Sequence, residues 1–130
     1  MSSVVHPDGS GLTRSLAEAR YYEAVDWLAT GDLPAAIAGF RASLAADPDY
    51  SDAAHGLMHA LKIAGQFDEA VVIAQGLIAR DPEDVLACTS LSILYQHQGK
   101  IPEAEAAATR SKLMGWKKQL REQKEAESRA

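Results

Sequence analysis

The sequence predicts an all-α fold: a right-handed α-solenoid of three helix–turn–helix repeats plus a C-terminal capping helix. Three observations carry this. Gly31, Gly65 and Gly99 stand 34 residues apart. Five positions after each comes an alanine, at Ala36, Ala70 and Ala104. Asp47-Pro48 and Asp81-Pro82 then follow the first two glycines at a matching distance. A period of this length is one helix–turn–helix unit of a stacked array. Such a unit cannot bury its own apolar face, so the units stack and leave a concave surface.

Each element follows from local chemistry. Residues 1–14 are polar and rich in Ser and Gly, and read as a disordered lead-in. Ser15-Leu-Ala-Glu18 fits a capping box that opens the first helix. The first helices of the pairs are expected over 16–30, 51–64 and 85–98, each ending at a glycine able to take the left-handed C′ conformation. The second helices are expected over 34–46, 68–80 and 102–114. Pro34 and Pro102 fall in a first helical turn, where a missing N–H costs little. The two Asp-Pro pairs end the first two second helices, because proline restricts the residue before it.

The apolar spacing agrees. Leu57, Leu61 and Ala64 step by four and three, facing Ala70, Val71, Ile73, Ala74, Leu77 and Ile78 of the partner helix. Leu91, Leu94 and Tyr95 repeat this against Ala104, Ala107 and Ala108. The alanine column permits close helix crossing, where a larger side chain costs ~1–3 kcal/mol. The repeats thus occupy 15–118, as about 17–50, 51–84 and 85–118. Residues 116–130 read as a capping helix with a basic tail, whose stripe is Leu113, Trp116 and Leu120. Whether the chain bends at Gly115 or runs on is left open.

Composition narrows the function. The 130 residues, 47% hydrophobic and 24% charged, fit one ordinary domain. Residues 1–109 carry 6 Lys/Arg against 15 Asp/Glu, a net of −9, and residues 110–130 carry 7 against 3, a net of +4. The acidic body argues against nucleic acid as a partner. The basic run equally fits an acidic partner, a neighbouring copy, or a solvated helix end whose cations complement the helix dipole. The longest uncharged stretch, Val85 to Gly99, is short and polar, so no membrane span is expected. No basic leader followed by an apolar run opens the chain, and a cytoplasmic protein is expected. A single cysteine, Cys88, rules out an internal disulfide.

These residues resemble the tetratricopeptide repeat, whose pattern sets a small and then a bulky residue before the loop glycine, and Ala, a bulky residue and Pro after it. The first repeat supplies Ala24, Trp27, Gly31, Ala36, Phe40 and Pro48, and the second Met58, Leu61, Gly65, Ala70, Ala74 and Pro82. The third supplies Ser92, Tyr95, Gly99, Ala104 and Ala108, with Trp116 where Pro is usual. Met58 replaces the usual Gly or Ala, which loosens the expected middle pair.

The resemblance implies a peptide or helix held in the groove lined by the first helix of each pair. Its positions carry over to Glu18, Tyr21, Val25 and Ala29, then Asp52, His55, His59 and Ile63, then Leu86, Thr89, Ile93 and His97. This mixture suits a partly apolar peptide. Gly56 reads either as room near the groove or as neutral drift. Members that clamp chaperone C-termini use Lys, Asn and Arg, whereas Tyr21, Val25, Gly56, Leu86 and Ser90 stand at those places, so that activity is not expected.

Other chemistry is thin. His55 and His59 lie four apart on one helix face, a spacing that suits a metal, with His97 as a third candidate. The glutamate of the metalloprotease motif is absent, and groove-lining histidines, which would make binding depend on pH between about 5 and 8, are the plainer reading. Cys88 reads as a small residue between repeats. No phosphate loop or nucleophile elbow is present, so neither an enzyme nor a cofactor is expected. The expected function is an adaptor or scaffold binding a protein or peptide partner. The alternatives are a self-associating module, as a homodimer through the stack end or C-terminal helix, and a histidine-based metal-responsive protein.

Overall fold

The computed structural model describes residues 10–130, and residues 1–9 of the expected lead-in lie outside the described residues. All secondary structure among the described residues is helical: α1 (Ser10–Thr30), α2 (Leu33–Ala46), α3 (Ser51–Ile63), α4 (Phe67–Arg80), α5 (Val85–His97) and α6 (Ile101–Arg129). The helices fall into two compact units, Met1–Gln66 and Phe67–Ala130. The division comes between α3 and α4, within the second sequence repeat.

The repeating loops are built alike. Gly31, Gly65 and Gly99 have φ of 87°, 79° and 74°, the left-handed region that penalises a Cβ. The N–H after each glycine returns to the carbonyl five residues back: Asp32 to Trp27, Gln66 to Leu61, and Lys100 to Tyr95, at 3.0, 2.9 and 2.9 Å. This is the Schellman closure, which satisfies carbonyls that a helix end leaves open. In the Asp-Pro loops, Asp47 accepts the Asp49 N–H on Oδ1 at 3.1 Å, and Asp81 accepts that of Glu83 at 3.0 Å. The carbonyls of Asp47 and Asp81 accept from Tyr50 and Asp84. Aspartate therefore recurs because it makes an Asx turn, with the proline pre-set behind it. Asp32 and Asp84 cap α2 and α5 through Ala35 N and Ala87 N.

In the first unit α1 packs on α2, and α2 on α3. Ala17, Ala24, Ala36, Phe40 and Ser43 are buried at the first crossing. A Cβ on Gly39 would stand 2.8 Å from the Cβ of Ala24, so the helices approach almost backbone to backbone. The buried Ser43 hydroxyl donates to the Ala17 carbonyl at 2.6 Å. Phe40, 1% exposed, presses on Gly56, where an added Cβ would stand 2.4 Å from ring atom Cε1. Gly56 is therefore the socket for this ring rather than groove space or drift. Burying that phenyl stabilises the unit by on the order of 2–3 kcal/mol.

In the second unit α4 packs on α5, and α5 on α6. Its core is Val71, Ala74, Leu77, Ile78, Ala87, Cys88, Leu91, Leu94, Ala104 and Ala107. Ser92 donates to the Ala104 carbonyl at 2.8 Å, and Thr89 and Ser111 share a 2.6 Å bond. Burial pushes the Cys88 thiol up, beyond the partial counter-effect of Arg110.

One expectation needs correction at the N-terminal end, and the question left open at Gly115 is answered at the other. Residues 10–14 are helical, and Ser15 lies inside α1, so the capping box does not form there. Arg14 holds the extra turn. It pairs with Glu18 at 3.3 Å and with Asp47 at 3.1 Å, and its guanidinium lies 4.1 Å from the Tyr50 ring centroid. At the other end, α6 passes through Gly115 without a break. The capping segment 116–127 is the second half of one 29-residue helix, about 43 Å long at 1.5 Å per residue. Trp116 removes the proline stop, and Gly115 alone costs only ~1 kcal/mol. Arg121 then anchors the extension with two hydrogen bonds to the Glu83 carboxylate.

Candidate peptide-binding surface

In the first unit the expected groove residues lie on α1 and α3. Val25 is 37% exposed and Ile63 51% exposed, and Ala29, Asp52 and His59 are exposed beside them. His55 is half-buried. Tyr21 is half-buried for a different reason. Its ring lies 5.3 Å from Tyr22, 5.8 Å from Phe40 and 5.4 Å from Tyr50, centroid to centroid. It packs on the cluster of Ala17, Tyr50 and Ala53. Burial, and then the Asp52 carboxylate, push its phenol up. Tyr21 thus builds the wall of this surface as well as facing it. His59 titrates below its ordinary value, first because burial disfavours the cation and then because Lys62 is close.

In the second unit the residues lie on α5. Leu86 is 60% exposed, Thr89 and His97 are exposed, and Ile93 is half-buried. The His97 ring stacks on Phe67 of α4 with centroids 4.7 Å apart and 6° between planes. Gln98 donates to Asp68 at 2.6 Å, tying the end of α5 to the start of α4. Thr89 is partly spent on its bond to Ser111. Among the described residues, no group of three or more His, Cys, Asp or Glu side chains is arranged to hold a metal ion. Among the described residues, no helix is long and apolar enough to cross a membrane.

One residue departs from its sequence pattern. Trp27 occupies the position that Leu61 fills in the next repeat with no exposure at all, yet Trp27 is 48% exposed. It flanks the buried Ala24, one turn back on α1, beside Glu23, Asp26 and Thr30. The repeat pattern marks that position as packed, and only the tertiary structure shows it open.

No curated protein sequence is significantly similar to the chain. Two crystal structures of MamA are similar in fold, with TM-scores of 0.77 and 0.76, each 24% identical over 82% of this chain. The chain spans 61% and 57% of those two structures. At that identity the likeness carries the fold alone, an all-α helical repeat. Residues 28–84 match the family model described as tetratricopeptide repeat. This stretch is therefore similar to the tetratricopeptide repeat, and the 34-residue columns and three Schellman closures carry the same helical-repeat pattern along the described residues.

Proposed function

We propose that this protein is an adaptor or scaffold that holds a peptide or helix of a partner protein on the first-helix faces of its repeats. The observation that carries the reading is the exposure of Val25, Ile63 and Leu86 on those faces. Each is a large apolar side chain on a helix whose opposite side is packed. Singly exposed apolar residues are ordinary. Here one stands on the first-helix face of each repeat, with exposed His59 and His97 on the same helices. Imidazoles beside aliphatic groups suit a segment with alternating apolar and hydrogen-bonding side chains. The repeat is a non-catalytic scaffold, in keeping with a binding role.

The test is affinity capture with the wild type and with a Val25→Asp, Ile63→Asp, Leu86→Asp variant of equal helicity. Tyr21 is left intact, because its removal would disturb the aromatic cluster. A partner retained by the wild type and weakened at least tenfold by the variant supports the reading. Partners retained at full affinity by the variant refute it.

A further inference from the structure

We propose that the exposed faces of α1 and α6 dock on one another between copies of this chain. Each of these helices carries an uncovered apolar stripe, flanking the buried side on α1 and opposite it on α6. On α1 it is Leu12, Leu16 and Trp27, 74%, 48% and 48% exposed. On α6 it is Leu113, Trp116 and Leu120, 48%, 62% and 52% exposed. At 100° per residue, Leu113, Trp116 and Leu120 lie within one narrow strip, and Ala104, Ala107 and Ser111 are buried on the other side. Two leucines and one tryptophan therefore stand free on each of the two helices.

The charges beside the stripes have opposite sign. Trp27 borders a shallow pocket of about 210 Å³ lined also by Glu23, Asp26 and Thr30. Glu23 is paired with Arg20 at 2.8 Å, which leaves Asp26 as the uncompensated charge. The α6 stripe is flanked by Lys112, Lys117 and Lys124, within a segment that carries a net +4 against −9 for the rest of the chain. An α6 face thus repels a second α6 face and attracts an α1 face. The α1 face of one copy therefore meets the α6 face of another rather than its own like. The pocket beside Trp27 offers room for one large apolar side chain, and Trp116 is the most exposed candidate on the α6 stripe. Tryptophan is well suited to anchor such a contact.

Sedimentation velocity on the full chain at low and high salt tests this with two face-blocked variants. Leu16→Lys with Trp27→Lys blocks α1, and Trp116→Glu with Leu120→Glu blocks α6. All four positions are exposed, and circular dichroism verifies the fold. The expected result is a wild type whose mass rises with concentration and falls in high salt. Each blocked variant stays monomeric, and their equimolar mixture forms a heterodimer and stops there, because each supplies the face the other lacks. A second pair guards against misfolding: Asp26→Lys alone and Lys117→Glu with Lys124→Glu alone each weaken association about tenfold, and the mixture of the two regains it. A wild type that remains monomeric at millimolar concentration in low salt overturns the proposal. So does a mixture that remains monomeric, or a blocked variant that assembles like the wild type. A monomeric wild type that co-sediments with anionic phospholipid vesicles assigns the α6 face to a lipid surface and equally overturns it. None of these outcomes touches Val25, Ile63 or Leu86, so the adaptor reading stands or falls separately.

Discussion

Replacing Gly39 by alanine places a methyl 2.8 Å from the Cβ of Ala24 and 3.2 Å from its Cα. Ala24 is fully buried and has no side chain to rotate away, so α1 and α2 must separate to admit the new atom. Overpacking of this kind costs ~1–3 kcal/mol. The same change gains about 1 kcal/mol of helix propensity. The net expectation is therefore roughly 0–2 kcal/mol of destabilisation. Gly76 supplies the internal control. It too lies inside a helix, α4, but an added Cβ there meets nothing within 4 Å. Gly76→Ala should keep the whole propensity gain and stabilise by about 1 kcal/mol. Urea unfolding of both variants beside the wild type reads the gap directly, provided the slopes agree. For a chain of this size, 1 kcal/mol is about 3–5 °C in Tm. The packing argument predicts a gap of about 1–3 kcal/mol between the two variants. Equal stabilisation by both would refute the close approach of α1 and α2.

Three further outcomes are expected. Gly56→Ala drives a methyl into the Phe40 ring and should destabilise the first unit, and Phe40→Leu should suppress that effect, a double-mutant cycle giving coupling of at least ~1 kcal/mol. Arg121→Ala should speed amide exchange over residues 119–127 while leaving α5 unchanged. The Glu83 carboxyl is held below its ordinary value by the Arg121 hydrogen bond, so the wild-type anchor should persist through the usual carboxylate range and be lost as pH falls through the lowered value. The His59 ring should titrate below 6.5 by NMR, and Lys62→Gln should raise the midpoint only part of the way, because burial is the larger cause. Its folded value lies below its unfolded one, so its contribution to stability is whole above about pH 6.5 and declines as pH falls towards the folded value.

The features legible in the sequence are those whose causes lie within a few residues. The Schellman glycines join groups five residues apart, the Asx turns two apart and the Asp32 and Asp84 caps three apart, so the helix ends repeat wherever the residues repeat. Alanine spacing likewise announced the crossings, and Ala36, Ala70 and Ala104 are all buried. The 34-residue frame likewise carries the proposed first-helix positions from one repeat to the next, but it does not show that Tyr21 is shared between that surface and a cluster with Phe40 and Tyr50.

What tertiary structure alone decided depends on partners distant in the chain. Arg14 extends α1 because Asp47 and Tyr50, more than thirty residues on, come within reach of its guanidinium. Gly56 is required by a ring sixteen residues earlier, and α6 is anchored beyond Gly115 by Glu83. Trp27 shares a sequence column with the fully buried Leu61 and yet stands half in solvent. A repeat pattern specifies which face of a helix is apolar. Only the packed chain determines whether another helix covers it, because burial belongs to a pair of surfaces and not to either one.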